Sequence, residues 1–136
     1  MPHFLDTNIL LYSISPAAAE AVKRDRALEL LDRDDGSLSV QVLQEFYVQS
    51  TRITRPGRLT HQLAVDLIDA WRRFPVQEMT LPVFDSALRI KAAHQLSYWD
   101  SAIIAAAGAL GCRRLYSEDM GDGREIDGVR IVNPFV

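Results

Sequence analysis

The chain has one cysteine among its 136 residues, so Cys112 has no internal disulfide partner, and a reducing, cytoplasmic setting is expected. No apolar run approaches the ~20 residues needed to cross a bilayer, so no transmembrane helix is read. The N-terminus lacks a basic stretch followed by an apolar one, so no secretory leader is read either. Histidine is scarce: His3, His61 and His94, together with Cys112, show no zinc-ligand spacing. There is no Gly-rich phosphate loop, no G-x-S-x-G and no Cys–His pair, which argues against P-loop nucleotide hydrolysis and acyl-enzyme chemistry. Lysine is nearly missing: Lys23 and Lys91 stand beside thirteen arginines. Arginine suits bidentate contact with phosphate or carboxylate, although a biased genomic base composition produces the same excess. The net charge of −3 argues against a protein that holds nucleic acid by bulk positive charge.

What is present is an ordinary globular composition, 48% hydrophobic and 24% charged, enough for the core of a single domain over residues 1–136. The short apolar run His3-Phe4-Leu5 reads as a buried strand that ends at Asp6. A short helix is expected over Asn8–Ile14, and a longer one opened by Ser15-Pro16 as cap and first residue. The turn Asp34-Asp35-Gly36 ends that helix, and Leu38–Val42 starts as a strand. A third helix over about Gln41–Ile53 has Val42, Leu43, Phe46, Tyr47 and Ile53 on one apolar face and Glu45 on its flank.

The segment Arg52–Arg58 reads as a loop, broken by Pro56-Gly57 and carrying Arg52, Arg55 and Arg58. Thr60 caps a fourth helix with Leu63, Leu67, Ile68 and Trp71 turned inward. Val76–Leu81 reads as a strand. Pro82 opens a fifth helix through Phe84, Leu88, Ile90 and Ala93, and Ser97 opens a sixth, apolar nearly all round, that ends at Gly111. Strands follow at Arg114–Ser117 and Gly128–Val132. Alternation of strands and helices predicts a parallel α/β sheet.

Four acids then call for a common explanation. Asp6 stands at a strand's carboxyl end, where open α/β sheets bind their ligands. Asp100 begins an otherwise apolar helix, which is costly for a carboxylate unless it is paired or metal-bound, although Ser97-x-x-Asp100 is also a capping-box spacing. Asp119 follows a strand in a Gly-rich loop, where Asp is an ordinary turn former. Glu45, taken alone, reads as an exposed helical glutamate. Jointly, acids at two strand ends and one helix start point to one site, and hard oxygen donors suit Mg²⁺ or Mn²⁺.

Four pieces carry a resemblance to a known family: Leu5-Asp6-Thr7-Asn8, the mid-helix Glu45, Tyr98-Trp99-Asp100-Ser101, and Leu115-Tyr116-Ser117-Glu118-Asp119-Met120. They resemble the PIN domain, most closely the VapC-type toxin ribonucleases of bacterial toxin–antitoxin pairs, and the resemblance extends to the closing Ile131-Val132-Asn133-Pro134-Phe135. It implies a PIN-like three-layer α/β fold, with a central parallel sheet of four to five strands flanked by helices. It also implies a Mg²⁺- or Mn²⁺-dependent endoribonuclease. The family's acids map to Asp6, Glu45, Asp100 and Asp119, as catalytic groups and metal ligands. Thr7 and Ser117 fill the hydroxyl positions beside the first and fourth acids, and Asp122 is a looser candidate ligand. An RNA substrate, a cognate antitoxin and a homodimer are implied as partners. Arg52, Arg55 and Arg58 are candidate RNA contacts. The competing readings are a metal-dependent phosphatase with Asp6 as nucleophile, for which Asn8 stands where a second Asp is expected, and a non-catalytic PIN-like RNA-binding subunit.

Overall fold

The computed structural model describes residues 2–136. Strand β1 (His3–Leu5) leads into α1 (Thr7–Ser13), a 3-10 turn at Ala18–Glu20 and α2 (Ala21–Asp32). Strand β2 (Gly36–Ser39) is followed by α3 (Val40–Ser50) and α4 (His61–Trp71), and β3 (Val76–Gln77) by α5 (Leu81–Ala93) and α6 (Tyr98–Ala109). Strands β4 (Arg114–Tyr116), β5 (Glu125–Ile126) and β6 (Val129–Val132) complete one six-stranded sheet in the order β3-β2-β1-β4-β6-β5. Every strand pair is parallel except β5–β6.

The connections from β1 to β2 and from β2 to β3 run one way across the sheet, and the connection from β3 to β4 runs back. Right-handed crossovers therefore put α1–α4 on one face and α5–α6 on the other. This is the three-layer α/β architecture expected from the sequence, with six strands rather than four or five. The direction in which strands are added across the sheet reverses between β1 and β4, which makes their carboxyl ends the topological switch point.

Burial explains the layering. Phe4, Leu38, Leu115 and Ile131 place fully buried side chains on neighbouring strands. Helix α6 is buried continuously from Ser101 to Ala107, and its small residues let it lie close against β2, β4 and β6 and beside α5. On the other face, Phe46 and Trp71 meet edge to face at 4.7 Å and lock α3 to α4.

Several expected boundaries move, each for a local reason. Ser15-Pro16 does not open α2: Ser15 closes the turn after α1 by donating its N–H to Tyr12 O, and its hydroxyl donates to Glu20 at 2.5 Å. Strand β2 stops at Ser39 because that hydroxyl accepts from Val42 N and caps α3. Ile53 is 81% exposed, beyond the end of α3. The third strand shrinks to Val76–Gln77 because Thr80 caps α5 by accepting from Val83 N. In α4 the expected inward face is kept by Leu67, Ile68 and Trp71, with Ala64 buried in place of Leu63, and in α5 Val83, Ala87 and Ile90 are buried while Phe84 and Leu88 are exposed. Strand β5 was not foreseen. It pairs with β6 through Asp127-Gly128, both at positive φ (50° and 80°), the two-residue geometry that suits a tight hairpin.

Candidate functional site

Asp6 lies where β1 gives way to α1. Its N–H continues the β1–β4 pairing by donating to Tyr116 O at 3.0 Å. Its Oδ1 accepts from Thr7 N and its Oδ2 from Ser117 Oγ, both at 2.7 Å. The carboxyl is thus held by the residues ending both switch-point strands. Burial pushes its pKa up to about 7 against those two hydrogen bonds, and the charges of Asp100 and Glu45 add to the rise.

The other acids arrive from three separate elements. Glu45, half-buried on α3, accepts from Thr7 Oγ1 at 2.7 Å. Asp119, exposed after β4, accepts at Oδ2 from Asn8 Nδ2 at 3.2 Å, and its own N–H donates to Ser117 Oγ at 3.2 Å. Asp100 stands in the first turn of α6, where its N–H is capped by Ser97 Oγ at 3.1 Å. Its pKa is raised by burial and then by the charges of Asp119 and Glu45, and a hydrogen bond with Ser97 opposes the rise. The structure therefore gathers all four acids at the switch point. Glu45, Asp6 and Asp119 are linked through Thr7, Ser117 and Asn8, and Asp100 is joined to them by its electrostatic field. Among the described residues, none of the four pairs with an Arg, Lys or His.

Asp122 is engaged elsewhere: its Oδ1 accepts from Asn133 N at 2.9 Å and ties its loop to the end of β6. The three loop arginines separate. Arg55 lines a cleft of about 260 Å³ with Asn8, Leu11, Tyr12, Glu20, Glu118 and Asp119, while Arg52 and Arg58 are exposed outside it. A larger hollow of about 510 Å³ between α3, α4 and β3 contains none of the four acids.

Sequence reasoning gave no role to three residues that shape this site. Asn8 was visible in the motif Asp6-Thr7-Asn8, but its link to Asp119 spans 111 positions. Gln41, one turn before Glu45, donates its Nε2 to Trp99 O at 3.1 Å and so joins α3 to α6. Lys23 forms a 2.5 Å ion pair with Glu118; burial raises that glutamate's pKa, but Lys23 and Tyr12 together bring it below the ordinary value, which leaves Asp119 as the acid of the two without a cationic partner. Only the run Glu118-Asp119 itself hinted that one of them needed a partner.

The chain belongs to the PIN domain family, whose sequence pattern it matches over residues 3–121. Comparison with curated proteins gives no match. Among solved structures, it resembles a toxin–antitoxin complex from Klebsiella pneumoniae at 18% identity and a TM-score of 0.72, covering 97% of each chain. It also resembles the sarcin–ricin loop cleaving toxin VapC20 of Mycobacterium tuberculosis, at 20% identity and a TM-score of 0.69, over 94% of this chain and 98% of that one. DNA-bound VapBC from Salmonella typhimurium aligns at 18% identity and a TM-score of 0.66, over 96% of each chain. At these identities the likeness shows a shared fold.

Proposed function

We propose that this chain is a divalent-metal-dependent endoribonuclease that hydrolyses RNA phosphodiester bonds, and that it is the toxin of a toxin–antitoxin pair. The observation that carries the reading is the gathering of Asp6, Glu45, Asp100 and Asp119, without a cationic partner, at the switch point of a PIN-family sheet. The similar folds of a toxin that cleaves the sarcin–ricin loop and of a toxin–antitoxin complex support it.

The donor chemistry fits a hard divalent ion. All four side chains offer oxygen, and the pKa values of Asp6 and Asp100 are both raised by burial and by the charges of neighbouring carboxylates. Among the described residues, no three His, Cys, Asp or Glu side chains are arranged to hold an ion as they stand. Asp6, Asp100 and Asp119 would be its ligands, with Glu45 binding a second ion or orienting the water. Bound there, Mg²⁺ or Mn²⁺ supplies Lewis acidity and neutralises phosphate charge.

The chain's own residues do the positioning. Thr7 N–H and the Ser117 hydroxyl fix both oxygens of Asp6, the Thr7 hydroxyl aims Glu45, and the Asn8 amide holds Asp119. A histidine acid–base pair has no part in this reading. His3 is bound to Asp35, His61 meets the Tyr47 hydroxyl, and His94 ends α5. The RNA 2′-hydroxyl need not be the nucleophile.

An acidic site offers an obvious target for an inhibitory Arg or Lys from a cognate antitoxin. A homodimer and a cytoplasmic setting complete the reading. The phosphatase alternative is weakened by Asn8, whose amide donates to Asp119 and offers no acid. The non-catalytic alternative leaves four unpaired acids without a purpose. Incubation of the protein with single-stranded RNA and with a generic phosphomonoester, in Mg²⁺, Mn²⁺ and EDTA, separates the three. The proposal expects RNA cleavage only with metal and no phosphomonoester turnover. Phosphomonoester turnover without RNA cleavage would favour the phosphatase, and neither activity the binding subunit.

A further inference from the structure

The chain has two tryptophans in opposite situations. Trp71 is 5% exposed, in the core against Phe46, whereas Trp99 is 63% exposed. Trp99 is the residue before Asp100, so its backbone lies beside the acid site, on the α6 side of the sheet. Its position is built. Gln41 holds its carbonyl, and Tyr98 braces its ring edge to face at 5.0 Å while packing on Phe84 at 6.0 Å. An exposed aromatic ring held in place by such neighbours can serve as a stacking surface for a planar ligand group.

The charge around it narrows what that is. The site carries four acids and the chain a net charge of −3, and among the described residues Arg55 is the one cation lining the cleft beside the site. Without metal, the site has little counter-charge to hold a polyanion. A polyanion can be held by its neutral parts instead, and bases stacking on aromatic rings provide such contact without sequence preference. Tyr12 and Arg55 belong to the α1 side of the sheet edge and Trp99 to the α6 side, so a strand crossing the acids from the cleft would next meet the indole.

We propose that Trp99 is the stacking platform for a base of single-stranded RNA next to the bond that is cut. This rests on the ribonuclease reading. Duplex RNA, whose bases are already stacked, is excluded from the platform, so the ring selects for unpaired segments.

The test uses the full chain in EDTA, where the proposed cutting is silent, and two readouts. Since Trp71 is enclosed, quenching of indole emission reports Trp99. Single-stranded RNA is expected to quench it saturably, and a duplex of the same sequence is not. With end-labelled RNA, Trp99→Leu is expected to bind about 10-fold more weakly, and Trp99→Phe to recover most of the affinity. Unchanged emission and equal affinity of Trp99→Leu overturn the platform. So does a Trp99→Leu variant that changes only the molecular mass in solution, since the ring then belongs to a protein contact. Metal-dependent cleavage by the wild type is measured in parallel: cleavage without quenching sinks the platform alone, and quenching without cleavage sinks the nuclease reading and with it the placing of the stacked base beside a cut bond.

Discussion

Thr7 Oγ1 stands 2.7 Å from Glu45 Oε1, so one hydroxyl joins the helix that Asp6 caps to the middle of the helix carrying the second acid. The same residue's N–H holds Asp6 Oδ1. Removing the hydroxyl leaves the backbone contact and frees the glutamate. Thr7→Val is therefore expected to lower kcat/KM for RNA by about 10²-fold, the scale of an ångström-sized misplacement, with far-UV circular dichroism unchanged. Thr7→Ser keeps the donor and should stay near wild type. Equal loss in both variants would show that the methyl, not the hydroxyl, matters.

The raised pKa of Asp6 makes a stability prediction for metal-free protein. Its folded value of about 7 lies above the ordinary 3.8, so the folded state binds the proton more tightly. The contribution is fully present below pH 3.8, is lost as pH rises through about 7, and stays lost above it. His3 acts in the opposite sense: its pKa is lowered by burial, so its contribution is lost as pH falls below 6.5. Comparison of Asp6→Asn with wild type cancels the His3 effect. The variant should be the more stable at pH 8, with the gap closing as pH falls from 8 to 5. A gap that does not vary with pH, measured by urea titration, would show that Asp6 titrates normally.

Divalent metal should raise the melting temperature of the wild type. A ligand bound only by the folded state adds about 2.7 kcal/mol at a hundredfold excess over its dissociation constant. Asp6→Asn and Asp100→Asn should each lose most of that increment while keeping the fold. Equal metal-induced shifts in all three proteins would place the ion elsewhere.

The loop arginines should no longer act alike. Arg55 lines the cleft beside Asp119, and Arg52 and Arg58 do not. Arg55→Gln should weaken RNA binding and reduce its salt slope by roughly one contact, and Arg52→Gln and Arg58→Gln should change little. Equal effects at all three positions would return the phosphate role to the loop as a whole.

Much of this site could be read before any coordinates, because its acids sit where local chemistry marks them. Asp6 ends an apolar run, and Asp100 follows the cap Ser97 into a helix of alanine and isoleucine. Thr60 likewise announced α4. What stayed hidden depends on distance along the chain or on very short elements. Nothing near Asn8 in sequence announces Asp119, and nothing near Gln41 announces Trp99. Strand β5 has two residues and no room for a period. In α4 the expected inward face holds at Leu67, Ile68 and Trp71 but not at Leu63, where the smaller Ala64 is buried instead and allows the closer packing.

The most direct test of the central claim is the rate of RNA cleavage by wild type, Asp6→Asn and Asp100→Asn in the same metal-verified buffer, with folding checked by melting temperature. The account predicts Mg²⁺- or Mn²⁺-dependent cleavage by the wild type, abolished by EDTA, and no cleavage by either folded variant. Cleavage at the wild-type rate by either variant would contradict the account.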